Sequence, residues 1–300
     1  MDHQKNGLGK SIMATAEKFL LRRADEAFSL SETYWVNTKL YPQRALVDSA
    51  NDPISIAKAN GAMGWVKTIE AVVATCGKRY TTFPTVNLPK PSLPRSASLR
   101  KSCEHRSSGR EFDAGRSMRL QQLSTLLSYS YGWNHARRRK HSAFKHVPSA
   151  GGLYPLEFYV ASASTRGLAP NTVYHYRPSG HLLECLRTFE NGFLSGLFAA
   201  SPWVTDANSV VFVTGVLPRL TWKYGERALR YLLLDAGHAV QNACLAAAAL
   251  GIALCPVVDF YDDPVHDFLD VDGISENVVY AFAMGVPKSA PRHSSHRRAT

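Results

Sequence analysis

Residues 243–258, ACLAAAALGIALCPVV, are apolar without a break, and they constrain this chain more than any other stretch. Sixteen residues are too few to cross a bilayer, which takes roughly 20. Gly251 and Pro256 also interrupt any single helix through them. The run reads as the end of a buried helix, a turn at Gly251 and a buried strand. Upstream, Arg227 to Leu250 carries the same helix backwards, too apolar round its circumference for an ordinary surface helix. An element of that kind needs a large surface to bury against, and 300 residues can supply one. With 45% hydrophobic and 20% charged residues, a disordered chain, a coiled coil and a collagen-like repeat are excluded.

The rest of the chain is organised around that element. The segments 10–28 and 54–76 read as helices, the second with Ile56, Ala59, Trp65, Val66, Ile69, Val72, Val73 and Cys76 near helical spacing. From Gly77 to Arg100, Pro84, Pro89, Pro91 and Pro94 force an extended path. Leu120 to Tyr131 is an amphipathic helix, Leu156 to Ala163 a strand, and Thr172 to Arg177 with His181 to Leu186 a hairpin about Pro178-Ser179-Gly180. Ser209 to Thr214, Ala253 to Phe260 and Val278 to Met284 are strands, and Asp262-Asp263-Pro264 opens a short helix with an acidic cap. Hairpins beside long helices indicate an α+β sheet rather than a doubly wound one. The expected domains are a helical extension with a proline-rich linker over 1–95, a main domain over 96–289 and a disordered basic tail over 290–300.

The N-terminus has neither a continuous apolar core nor a small-residue cleavage site, so it is not read as a secretory signal. Cys76, Cys103, Cys185, Cys244 and Cys255 are scattered and form no CxxC, which argues against a disulfide framework and a zinc site. The expected compartment is the cytoplasm, with no membrane association. The net charge of +11 opens the question of an anionic partner. Much of it sits in Arg137 to Lys140 and in Lys288, Arg292, Arg297 and Arg298, two patches on a nearly neutral body. No RRM, KH or zinc-finger pattern accompanies them, so nucleic acid is an unlikely partner.

Four segments carry reactive or ligand-binding residue types. Arg106-Ser107-Ser108-Gly109-Arg110 joins guanidinium groups to hydroxyls, the equipment for a phosphate, although alone a solvated polar loop is the plainer reading. Pro148-Ser149-Ala150-Gly151-Gly152 precedes a strand, and its paired glycines let backbone approach a flat ligand; it is neither GxGxxG nor a P-loop. Lys223-Tyr224, at the opening of the long helix, can act in proton transfer if the pKa values are lowered, though an exposed helix start is the plainer reading. Asp235 to Asn242 places polar groups on an apolar helix, and His238 reads as a satisfied structural histidine.

Taken in order, RSSGREF, LSTLLSYSYG, PSAGGLYPLEFYV, the long segment from KYGERALRY to IALCPV, and AFAMGVP resemble the SagB-type dehydrogenase family of nitroreductase-like flavoproteins. The resemblance covers about residues 100 to 288, and more loosely TYWVNTKLYPQR upstream. It implies a nitroreductase-like FMN fold, with a central, mostly antiparallel sheet flanked by helices. It also implies a homodimer with each FMN in a cleft at the subunit interface. Family members oxidise thiazolines and oxazolines in ribosomally made peptides to thiazoles and oxazoles, beside a cyclodehydratase partner. By that resemblance Arg106, Ser107 and Arg110 hold the flavin phosphate, with Lys288 completing it. Pro148, Ser149, Gly151 and Gly152 lie against the isoalloxazine, and Lys223 and Tyr224 are catalytic, either one the base. The alternatives are another flavin oxidoreductase on the same scaffold, acting on nitroarenes, dehydroamino acids or a carrier-bound peptide, and a non-catalytic basic RNA- or peptide-binding protein.

Overall fold

A computed structural model of the chain describes residues 30–37, 77–135 and 144–289. The chain divides into two units, residues 1–48 and 49–300. Of the first, only the helix Leu30–Asn37 (α1) is described. The helices expected over 10–28 and 54–76, the basic run 137–140 and the tail 290–300 lie outside the described residues.

The second unit is built on one sheet of seven strands in the order β1-β4-β3-β2-β5-β7-β6. These are β1 (Thr85–Asn87), β2 (Leu156–Ser162), β3 (Thr172–Arg177), β4 (Leu182–Thr188), β5 (Ser209–Val216), β6 (Ala253–Val257) and β7 (Glu276–Gly285). Every pairing is antiparallel, and the α+β reading holds. β2 is buried at all seven positions because both sheet faces are covered. Side-chain alternation divides its residues between the faces. Phe158 and Val160 join Val211, Val213, Phe282 and Met284 on one side. Tyr159 and Ala161 join Val210, Phe212, Ala281 and Ala283 on the other.

The first face is covered by two helices, α3 (Leu120–Tyr131) and α5 (Ala228–Leu250). α2 (Leu99–His105) also packs on α5. The second face is covered by α6 (Asp262–Leu269) and the turns around Leu194, Phe198 and Val204. α5 ends as expected at Gly251, whose φ of 64° lets its N–H return to Ala247 and Ala248 carbonyls. The hairpin about Pro178 to Gly180 is also found.

Four expectations need correction. Residues 85–87 of the expected linker form the edge strand β1, where flanking prolines cost no ladder bonds. Lys223 and Tyr224 do not open the long helix; they end a short one, α4 (Pro218–Tyr224). Pro218 starts it and Gly225, at φ 51°, breaks it before α5 begins. The N-cap of α6 is Tyr261 with no side-chain cap, and Asp262 and Asp263 lie inside its first turn. His238 is exposed on α5 rather than buried.

Candidate active site

α4 is held in place from below. The Arg219 guanidinium donates to Glu157 on β2, and Leu220 is buried with Leu153, Ala228 and Leu232. Burial alone would push the Glu157 carboxyl up, but the hydrogen bond from His175 and the charge of Arg219 outweigh it and hold it well below the carboxylate range. The last two residues of α4 then face the loop before β2. Tyr224 meets Tyr231 edge-on at 4.8 Å between centroids, and Lys223 Nζ lies 5.3 Å from the Tyr224 ring centroid. A Cβ built on Gly151 would stand 2.6 Å from Tyr224 Oη and 2.9 Å from Lys223 Nζ. The φ of 61° at residue 151 favours glycine, and any side chain there would also have to push aside the ends of Tyr224 and Lys223.

Beneath the loop lies Asp235, in the N-terminal half of α5 and 4% exposed. One carboxylate oxygen accepts from the Ser149 hydroxyl, and the other from the Ala150 N–H at 3.4 Å. Ser149 Oγ in turn accepts from the Tyr154 N–H at 2.9 Å. Burial pushes Asp235 up to about 6, against the pull of Ser149 and Ala150. Just before the loop, Lys145 Nζ sits 3.4 Å from the Tyr131 ring centroid, with Trp133 and Tyr154 at 5.4 and 5.3 Å. Loss of water around this ammonium pushes its pKa well down.

The phosphate-type segment is elsewhere. Gly109 donates its N–H to Leu254 O at 3.1 Å. A Cβ on Gly109 would meet Ala253 Cβ at 3.1 Å, so the segment runs close against β6. A cavity of about 630 Å³ opens there, lined by Ser107, Ser108, Arg110, Ala249, Gly251 and Pro287 among others. Arg106 caps α2 through its N–H to Ser102 O. Arg110 stacks over Trp203 at 5.7 Å. Lys288 lines the neighbouring cavity of about 700 Å³ with Arg116, Arg119 and Arg166, which shares Gly251 and Pro287 with the first.

The structure thus brings Lys223, Tyr224 and Gly151 together, and it turns the Ser149 hydroxyl inward to Asp235. Ser107 and Arg110 form a second group at the far end of α5, whereas Arg106, which ends α2, is not among the residues lining the cavity there. From Asp235 to Ala249 is fourteen residues of α5, roughly 20 Å along the axis. Sequence reasoning did not assign Asp235, although an acid on an apolar helix was the visible signal, nor Arg219 and Glu157, which anchor α4. Among the described residues no group of three metal-ligating side chains gathers, and no helix is long and apolar enough to cross a membrane.

The model of the Nitroreductase family matches residues 103–286. The chain belongs to the nitroreductase family. As a family member it is a nitroreductase-like flavin oxidoreductase. It is 34% identical over 153 residues to a nitroreductase-like protein of Methanocaldococcus jannaschii, covering 51% of this chain and 74% of that protein. It is 28% identical over 158 residues to the trifolitoxin-processing protein TfxB of Rhizobium leguminosarum bv. trifolii, and 27% over 130 residues to the microcin B17-processing protein McbC of Escherichia coli. Those matches cover 51% and 42% of this chain, but only 40% and 48% of the two relatives. Among solved structures, an Anabaena variabilis nitroreductase-like protein aligns at TM-score 0.59 and 24% identity, over 69% of this chain and 42% of that one. The Escherichia coli microcin synthetase McbBCD complex, with truncated pro-MccB17 bound, contains a chain aligning at TM-score 0.54 and 19% identity, over 84% of this chain and all of that one.

Proposed function

We propose that this chain is an FMN-dependent dehydrogenase that oxidises thiazoline and oxazoline rings of a ribosomally made peptide to thiazoles and oxazoles, beside a cyclodehydratase. The observation that carries the reading is the convergence of Lys223 and Tyr224 on the backbone of Gly151. The likeness to two peptide-processing proteins supports it.

The residues present fit FMN. Ser107, Ser108 and Arg110 offer hydroxyls and a guanidinium to a phosphate in a cavity of sufficient size. Gly152 has no atom within 4 Å of where its Cβ would be, leaving an open face of backbone. The two groups lie at opposite ends of α5, so a flavin lodged between two antiparallel copies would take its phosphate contacts from one and the 148–152 loop from the other. Exposed Leu229, Leu233 and Leu234 on α5 offer the surface on which such copies would meet.

When bound, FMN supplies the acceptor for the hydrogen and electron pair leaving the azoline ring, chemistry that no side chain provides. Lys223, as the neutral amine, or Tyr224, as the phenolate, takes the acidic Cα proton. Either side chain can be the final acceptor. The loop at Gly151 fixes where the substrate ring may lie relative to both.

The test is conversion of an azoline peptide to the azole, read by mass spectrometry as the loss of two hydrogens per ring. Lys223→Ala and Tyr224→Phe should each lose about 10²–10⁴-fold in turnover while keeping their flavin. Wild-type turnover in both variants would remove the pair from the chemistry. A wild-type protein inert on azoline peptides but consuming NADPH with a nitroarene would establish the reductase reading instead.

A further inference from the structure

Asp235 has no place in the proton transfer proposed above, yet it is a buried acid bound to the loop beside it. Its two oxygens are engaged by consecutive residues of one loop, Ser149 through its hydroxyl and Ala150 through its amide. Ser149 gives its one proton to Asp235, and its oxygen accepts the Tyr154 amide, leaving one lone pair. The residue after this clamp is Gly151, whose backbone presses against Tyr224 Oη and Lys223 Nζ. A continuous chain of contacts therefore runs from the carboxylate, through two adjacent loop residues, to the two side chains read as the acid–base pair.

We propose that Asp235 is a positioning residue, holding the 149–151 backbone so that Gly151 fixes Lys223 and Tyr224, and that protonating its carboxyl loosens this hold. The proposal rests on the reading of Lys223 and Tyr224 as the acid–base pair. An ionised carboxylate accepts on both oxygens, as it does in the clamp. Once protonated, the carboxyl can still bond Ser149 by donating to the remaining lone pair of Oγ as the hydroxyl turns away, but both loop contacts are then made to a neutral acid and are roughly half as strong. The clamp then keeps its two contacts but loses the charge that strengthened them.

The surroundings keep that titration within reach of ordinary pH. His238 stands one turn along α5 and Lys145 precedes the loop, and both favour the ionised form. Tyr131 on α3, with Glu157 of β2 and Arg219 of α4, completes the charged and titratable surroundings of Lys145. Lys223 and Tyr224 lie across the loop. Burial is the largest influence on Asp235 and places its midpoint at about 6, inside the range where an oxidation assay runs.

Three variants test this in the flavin-loaded protein. Asp235→Asn keeps the shape and one acceptor, Asp235→Ala removes both, and Ser149→Ala cuts only the hydroxyl link. Asp235→Ala should lower kcat by about 10- to 100-fold, the cost of misplacing a catalytic group by about 1 Å, with KM and flavin content little changed. The wild type should lose kcat below about pH 6, and Asp235→Asn should lack that acid limb. A second readout needs no substrate: hydrogen exchange at the Ala150 and Tyr154 amides should quicken about tenfold or more in Asp235→Ala, and at Tyr154 in Ser149→Ala. If Asp235→Ala does not fold, Ser149→Ala and Asp235→Asn carry the same comparisons. Wild-type kcat, an unchanged acid limb and protected amides in Asp235→Asn and Ser149→Ala would overturn the proposal. Should Lys223→Ala and Tyr224→Phe turn over normally, the acid–base reading fails while the amide exchange still decides whether the clamp exists.

Discussion

Arg106 and Arg110 occupy exposed positions on one short loop, and neither is needed to hold the sheet together. Arg110 rests over Trp203, which aims its guanidinium without neutralising it. A charge-assisted bond to a phosphate is worth about 1.5–3 kcal/mol, so Arg106→Ala and Arg110→Ala should each weaken FMN by roughly 10- to 100-fold. Equilibrium dialysis of the apoprotein measures this directly, and full flavin retention in both variants would place the phosphate elsewhere. Lys288→Ala is the informative companion. Because Lys288 lines the adjoining cavity with Arg116, Arg119 and Arg166, its loss should cost less than either arginine if the phosphate sits beside Ser107. These residues could be proposed from the sequence because guanidinium, hydroxyl and glycine advertise their chemistry by type. Asp235 could not, since its partners Ser149 and Ala150 lie 86 and 85 positions away and only folding brings them to it.

At the level of elements, the strands could be read because each is an apolar run ended by turn residues, and Pro178-Ser179-Gly180 fixed one hairpin. What joins the strands could not be read. His175 on β3 stands between Glu184 of β4 at 2.8 Å and Glu157 of β2 at 3.0 Å, all three inside the protein. Arg177 and Arg219 close the ends of this row, and Lys78 reaches Glu276 nearby at 2.8 Å. Burial would lower the His175 pKa, but the bonds to both carboxylates outweigh it and raise it above 6.5. Its stabilising effect is complete below 6.5 and is lost as pH rises through the raised folded value. Glu157 and Glu184 are held below 4.5, so their contribution is present above 4.5 and fades as pH falls. Stability should be greatest between these limits. Replacing His175 with alanine leaves two carboxylates buried without their shared partner, at a cost of about 3–5 kcal/mol. Urea unfolding near pH 6 should show that loss, and the variant should no longer show the alkaline decline that His175 causes. A change under about 1 kcal/mol would mean that the row behaves as a surface ion pair.

The whole molecule poses a question that one chain does not answer by itself. α5 buries Leu232, Ala236, Ala239, Val240 and Ala243 against the sheet, as its composition required. Yet Leu229, Leu233 and Leu234 remain 37%, 50% and 59% exposed, with Gly237, His238 and Gln241 continuing the same open stripe. An apolar stripe on the central helix, beside the proposed flavin site whose two halves lie at that helix's two ends, is accounted for if a second copy packs on it. Leu233→Glu with Leu234→Glu tests this without touching the sheet or the 148–152 loop. Burying a leucine is worth about 1.5–3 kcal/mol. With only 50% and 59% of the two residues left to bury, two per subunit, counted over both copies, forfeit about 3–6 kcal/mol, or roughly two to four decades in dissociation constant. The charges now facing each other across the interface add to the loss. Because both side chains already face solvent in the single chain, far-UV circular dichroism should be unchanged. Light scattering should report the mass of a dimer for the wild type and of a monomer for the variant. The variant should also purify with little flavin, since each site would lack the half supplied by its partner. A variant that becomes monomeric yet keeps its flavin would place the whole site within one chain. A variant that stays dimeric would move the interface off α5.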